Sequence, residues 1–323
     1  FKQKTAYEML RSLVGSEMCI RDRVGILFAT LYVMPAHRAW SGSMSQVYGS
    51  ASQAHALAMA QLDAYHRLAA EDARFRLIAS RQELDEVAAA WSASGETPPP
   101  IGLVISMEGA DPIEEPSQVG EWHAQGLRAI GPAWAATRYA GGTGEPGPLT
   151  DLGRQLLDEM APLNLILDLS HIAEQAFFEA LERYPGPVIA SHSNPRAFLP
   201  TDRGLSDEMI RALANQDGVI GIALYNRYLR PGWQEGDPRS EVTLDTVIRA
   251  IDYTAQVSGA VEHVAIGSDF DGGFGLEAIP QGMDSVADLL RIAEALGAWG
   301  YSDGQIAAVM NGNWLRVLRR SLA

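Results

Sequence analysis

Four residues with metal-binding side chains stand directly after apolar runs. Glu108 follows IGLVISM, His171 follows LILDLS, His192 follows VIAS and Asp269 follows VAIGS. Imidazole nitrogens and carboxylate oxygens are the donor set of zinc and related divalent ions. A glutamate carboxylate has two oxygens, so Glu108 can bridge two metals. Two ions about 3.5–4 Å apart can share a hydroxide and polarise a carbonyl. Asp269 could hold a metal and pass a proton from the attacking water to a leaving amine. Each residue alone has an ordinary reading: Glu108 and Asp269 as caps, His171 as a neighbour of a helix start, His192 as a loop histidine. It is the repetition of one placement, at strand ends, that argues for a hydrolytic metal centre.

The elements that must position these residues alternate between strand and helix. VGILFATLYV (24–33) is the first apolar run, and a long helical stretch follows from about Ser45 to Ser94. That stretch breaks near Glu71 and Asp72, where FRLIAS can form a short strand, and the cluster GETPPP (95–100) is a loop. Six further strands are expected, at 101–107, 126–133, 163–170, 186–192, 218–224 and 262–269. Helices are expected at 116–125, 150–160, 172–183, 206–215, 243–258, 284–296 and 302–320. This alternation implies parallel strands joined by helical crossovers, and the nearly unbroken apolarity of the strands implies that both sheet faces are covered. The expected fold is an α/β (β/α)8 TIM barrel, whose strand C-termini all open on one face. Seven major strands are legible where eight are wanted, so the first is missing or replaced. An open doubly wound sheet is the alternative, but no G-x-G-x-x-G follows the opening strand.

Residues 1–23, FKQKTAYEMLRSLVGSEMCIRDR, differ from the rest. They contain the single cysteine, Cys19, and every lysine of the chain; beyond them the cation is always arginine. The stretch resembles a translated adapter sequence and is set apart as a non-native leader, leaving 24–323 as one domain that begins near Val24. The formal net charge of -15 argues against nucleic acid as partner. One cysteine excludes an intramolecular disulfide. No apolar run is long enough to span a bilayer, and no lipid-anchor signal ends the chain. Cytoplasmic localisation is the default expectation, with no membrane anchor visible.

Among the remaining candidates, His37 in MPAHRAW follows a strand and could border the site. His55, His66 and His123 lie in helical stretches and His263 at a strand start, which are structural or solvated positions. Asp271 in SDFDGG could assist Asp269, though a turn role suits it better.

The segments SMEGADPI, LILDLSHIAEQAF, PVIASHSNPRAF, TDRGLSDEMI and AIGSDFDGG, with the closing NGNWLRVLRR, resemble in order and spacing the membrane dipeptidase (renal dipeptidase-like) family of zinc peptidases. The resemblance covers about residues 24–323. It implies a binuclear Zn2+ centre and hydrolysis of dipeptides, including those with a C-terminal D-residue, often by a homodimer. It implies that Glu108 bridges the metals, that His171 and His192 serve one ion and Asp269 the other, and that Arg203 grips the substrate's C-terminal carboxylate. A guanidinium suits that task because it can make two parallel hydrogen bonds. Two departures stand out. The family's H-x-D on its first strand has no counterpart in this sequence, so one metal site is incomplete and the chain as written could be inactive through truncation. Trp134, in GPAWAATRYAGG, stands where renal-type members carry a histidine near the scissile bond. The alternatives are therefore a metal-dependent amidase or lactonase-like hydrolase on the same barrel, or a catalytically impaired metal-binding fragment.

Overall fold

The computed structural model describes residues 24–39, 47–93 and 98–322; the leader expected at 1–23 lies outside them. The strands are β1 (Ile26–Tyr32), β2 (Met34–Pro35), β3 (Val47–Tyr48), β4 (Phe75–Leu77), β5 (Ile101–Glu108), β6 (Leu127–Gly131), β7 (Ala140–Gly142), β8 (Glu145–Leu149), β9 (Ile166–Asp168), β10 (Val188–Ala190), β11 (Val219–Ile222) and β12 (Val264–Ile266). The principal helices are α1 (Ala51–Glu71), α2 (Arg81–Ser92), α3 (Val119–Ala124), α4 (Asp151–Met160), α5 (Glu174–Arg183), α6 (Asp207–Asn215), α7 (Leu244–Ser258), α8 (Leu290–Trp299) and α9 (Asn313–Ser321). Ser50, Ser80, Thr150 and Ser206 each accept a hydrogen bond from a backbone N–H of the first turn of α1, α2, α4 and α6, satisfying donors the helix itself leaves unpaired.

The major sheet is wholly parallel and curls in the order β1-β5-β6-β9-β10-β11-β12. Helical crossovers cover it, which is why seven of the eight residues of β5 are buried. The sheet differs from the closed eight-stranded barrel expected from sequence. Among the described residues, β1 and β12 are the two ends of the path and do not pair with one another. The eighth strand of the sheet, β4, pairs instead with Ile101–Leu103 of β5, while β6 takes Ile105–Glu108. Between the two ends lies Trp314: its indole N–H donates to the carbonyl of Ile266 in β12 at 2.9 Å, and its ring meets Phe28 of β1 edge-on at 5.5 Å.

Two cores follow from the period-two alternation of strands. Leu103, Ile105 and Met107 face the helices in the larger cluster. Val104, Ala129, Ile166, Ile189, Val219 and Ala265, one from each of six strands, form a second cluster with Val87 of α2 and Val317 and Leu318 of α9. Several expected strands are longer than the observed ones; 163–170, for example, contracts to Ile166–Asp168. The chain leaves the sheet at these ends to aim side chains, and apolar runs do not register that. The expected helices at 116–125, 284–296 and 302–320 each begin as separate short turns, at Pro116–Gln118, Val286–Leu289 and Asp303–Ala307. No helix among the described residues is long and apolar enough to cross a membrane.

Candidate metal centre

Glu108 is the last residue of β5, in register with Tyr32 of β1 and Gly131 of β6. It shares a face with Val104 and Ser106, and Ser106 Oγ meets Thr30 Oγ1 of the neighbouring strand at 3.0 Å. That parity turns Glu108 away from the helices and into the mouth of the curled sheet. His171 and His192 follow β9 and β10 by three and two residues. His171 adopts φ 65° and Asp269 φ 57°, left-handed conformations uncommon outside glycine. Backbone of this kind costs on the order of 1 kcal/mol or more per residue, and it occurs here where the chain turns off a strand toward one point.

Three of the candidate ligands come together. Glu108 Oε1 lies 3.1 Å from His171 Nε2 and 3.4 Å from His192 Nε2, and the two Nε2 atoms are 3.0 Å apart. Three donors around a tetrahedral zinc, each about 2.0–2.1 Å from the ion, would be separated by roughly 3.3 Å. The donor set and its spacing therefore fit a divalent ion. Among the described residues this trio is the one group of three or more metal-capable side chains so clustered. Both histidines also have the outer partner typical of metal-ligating imidazoles. His171 Nδ1 is 3.1 Å from Thr143 Oγ1, and His192 Nδ1 is 2.7 Å from Ser191 Oγ.

The electrostatics agree. Burial pushes the His171 imidazole down to about 3, with Arg203 adding to the effect, so its lone pair is free at neutral pH. At Glu108 burial opposes ionisation, but the His192 charge and hydrogen bonds from both histidines outweigh it and hold the carboxyl well below the usual range. His192 moves up: burial lowers it, yet Asp269 and Glu108 prevail. An ion bound there would compete with the proton that Asp269 and Glu108 favour on His192.

Asp269 faces the same cluster without joining its ligand triangle. Burial raises its carboxyl to about 6, opposed by His192 and reinforced by Glu108. Arg203 is 5% exposed, although sequence alone would put it on a solvated loop. It donates to Ser193 Oγ at 2.9 Å and to the main-chain carbonyl of His192, and its guanidinium lies 5.3 Å from the ring centre of Tyr228. Its Nε has no hydrogen-bond partner among the described residues. Trp134 borders this trio, 6.2 Å from His171 and 5.3 Å from Tyr32 between ring centres. The structure thus gathers Glu108, His171, His192, Asp269, Arg203 and Trp134 at one face.

His37 does not belong to that gathering: it is exposed and pairs with Glu145 at 2.9 Å. His55, His66 and His263 bind the carbonyls of Pro112, Gln125 and Gly218, which are structural roles. Asp271 is exposed in the turn after Asp269, with φ 67°. Sequence reasoning missed Thr143, Ser191 and Asp168. Asp168 was open to discovery, because it lies at the end of an apolar run one alternation before Ser170 and His171.

Comparison with known proteins agrees with this geometry. The family described as membrane dipeptidase (peptidase family M19) matches residues 17–322. An uncharacterized protein in the pqqA 5' region of Klebsiella pneumoniae is 35% identical over 229 residues, covering 68% of this chain and 82% of that protein. Dipeptidase tcpJ of Claviceps purpurea is 29% identical over 229 residues, 68% of this chain but 51% of that protein. The chain spans between 39% and 64% of the length of four other curated relatives that it matches. Among solved structures, dipeptidase AC, a metallo peptidase of family M19, has a TM-score of 0.79 at 26% identity, covering 94% of this chain and 87% of that one. A metallo peptidase from Rhodobacter sphaeroides, liganded with a phosphinate mimic of the dipeptide L-Ala-D-Ala, has a TM-score of 0.76 at 27% identity, covering 91% and 86%.

Proposed function

The chain belongs to the membrane dipeptidase family, and we propose that it hydrolyses dipeptides at a zinc centre held by Glu108, His171 and His192. The single observation that carries this reading is the convergence of one carboxylate oxygen and two Nε2 atoms within 3.0–3.4 Å at the strand ends. A divalent ion bound there would polarise the scissile carbonyl and acidify a water. The remaining work falls to the chain's own groups. Arg203, buried and anchored from behind, offers its guanidinium to the substrate's C-terminal carboxylate, which restricts the site to short substrates with a free C-terminus. Asp269, facing the same cluster, would take a proton from the attacking water and return it to the departing amine. Trp134 shapes the pocket beside His171 and leaves no imidazole there to hydrogen-bond the substrate. A C-terminal D-residue is among the accepted substrates, as the dipeptide mimic held by the Rhodobacter relative supports.

A second ion on the Asp269 side would be held by Asp269 with Glu108, and a (β/α)8 barrel would be complete with β1 and β12 joined. The described residues bring no second group of three ligands to Asp269, so metal content is the sharper test. The experiment is hydrolysis of L-Ala-D-Ala and L-Ala-L-Ala by the zinc-loaded chain, alongside N-acyl amino acids and lactones. Cleavage of free dipeptides that is lost on chelation supports the reading. Cleavage of acyl amino acids or lactones alone would replace it with the amidase or lactonase reading, which Trp134 motivates.

A further inference from the structure

One carboxylate outside the ligand set touches the supports of both histidines. Asp168 ends β9 and pairs in register with Ile189 of β10. Its Oδ1 accepts the backbone N–H of Ser170 at 3.0 Å and that of Ser191 at 2.9 Å, the residues immediately preceding His171 and His192. Its Oδ2 accepts the hydroxyl of Ser191 at 2.5 Å. Ser191 Oγ in turn lies 2.7 Å from His192 Nδ1. A serine hydroxyl has one proton, and a carboxylate can only accept. The proton of Ser191 therefore goes to Asp168, and Ser191 Oγ must accept from His192 Nδ1–H. In the neutral ring, the form that can bind a metal, this places the one proton on Nδ1 and leaves the Nε2 lone pair on the side of Glu108.

Resting on the metal-centre reading, we propose that Asp168 is a positioning residue that sets both histidine ligands: it selects the metal-binding tautomer of His192 through Ser191, and it pins the backbone before His171 and before His192 to one another. The two imidazoles are thereby unequal. His171 is backed only by the neutral hydroxyl of Thr143, whereas His192 is backed by a hydroxyl that a carboxylate polarises.

Asp168→Asn separates this role from simple support. The amide oxygen can keep the two backbone bonds, but the NH2 group now donates to Ser191 Oγ. The nearest acceptor for the serine proton is then His192 Nδ1 at 2.7 Å, ahead of Ser170 Oγ at 3.3 Å, and donation there moves the ring proton to Nε2. Zinc affinity, measured by competition with a chromophoric chelator, should fall 10- to 100-fold, while the circular dichroism and thermal midpoint of the metal-free protein stay as in the parent. Nitrogen-15 shifts of His192 in the neutral, metal-free ring should report Nδ1–H in the parent and Nε2–H in the variant. Ser191→Ala keeps both backbone bonds of Asp168 and removes only the relay; it decides the matter if Asp168→Asn does not fold, with an expected loss of about tenfold or more. Parent-like zinc affinity in the folded variants, or an unchanged His192 tautomer in Asp168→Asn, overturns the proposal. A parent chain that binds no zinc overturns the metal-centre reading itself, a distinct result.

Discussion

The guanidinium of Arg203 hydrogen-bonds to the main-chain carbonyl of His192. The group proposed to grip the substrate is thus fastened to the backbone of a proposed metal ligand, so substrate anchor and ligand hold a fixed relation. Replacing Arg203 by lysine keeps the charge but removes the planar fork. The expected result is a loss of about 10²-fold in kcat/KM for dipeptides with a free C-terminus, corresponding to ~3 kcal/mol, within the range for hydrogen bonds between charged groups. Amidated dipeptides, already poor substrates, should lose much less. Equal losses on both substrates would show that Arg203 does not read the carboxylate.

Chelation should destabilise the protein as well as inactivate it. A ligand that binds only the folded state at a hundredfold excess over its Kd contributes about 2.7 kcal/mol. Thermal midpoints of zinc-loaded and chelated protein, with zinc counted by elemental analysis, test this. Tight binding of one equivalent is expected at Glu108, His171 and His192, and His171→Ala should abolish both the tight equivalent and the stabilisation.

Asp269 gives a pH prediction for the metal-free protein. Its carboxyl moves from 3.8 to about 6 in the folded state, first through burial and then through Glu108. Between those values the folded chain holds a proton that the unfolded chain has released. This contribution to stability is complete below about 3.8 and disappears as pH rises through about 6. His171, depressed to about 3, acts in the opposite sense, adding stability as pH rises from about 3 to its ordinary 6.5. Asp269→Asn removes the first effect, together with the Asp269 charge that helps to hold His192 up, and leaves the His171 effect in place. The metal-free variant should be more stable than the parent by about 1–2 kcal/mol at pH 7 and little different at pH 4, read from denaturant midpoints. In the zinc-loaded enzyme the same substitution should cut kcat. An unchanged kcat would remove Asp269 from proton transfer.

Gly267 makes room for the histidine loop. A Cβ at this position would come within 1.8 Å of the Ser191 carbonyl oxygen, and one at Gly221 within 2.0 Å. Gly267→Ala must push Ser191 aside and move His192 with it. A loss of about 1–3 kcal/mol in stability and a fall in zinc affinity are expected together, since overpacking against backbone cannot be relieved by a rotamer change. A variant that loses stability while keeping parent zinc affinity would show that the histidine tolerates the shift.

The sequence by itself determined the strand–helix alternation and the polar residues that end or follow the strands, because burial on both faces writes strands as apolar runs that such residues interrupt. Glu108, His171, His192 and Asp269 were legible for that reason, and Arg203 and Trp134 through family resemblance. The tertiary structure decided what such patterns do not encode. It brought three of the four metal-capable residues into one triangle and left Asp269 outside it, because strand exits differ in length and φ. It buried Arg203, which reads as a loop cation, because Ser193, the His192 carbonyl and Tyr228 meet it only after the chain has folded. It placed β4 beside β5 and left β1 and β12 unpaired with each other, since partner choice depends on edges far apart in sequence. It also disclosed Asp168, because the two amides and the hydroxyl that it accepts belong to two strands brought side by side by the sheet.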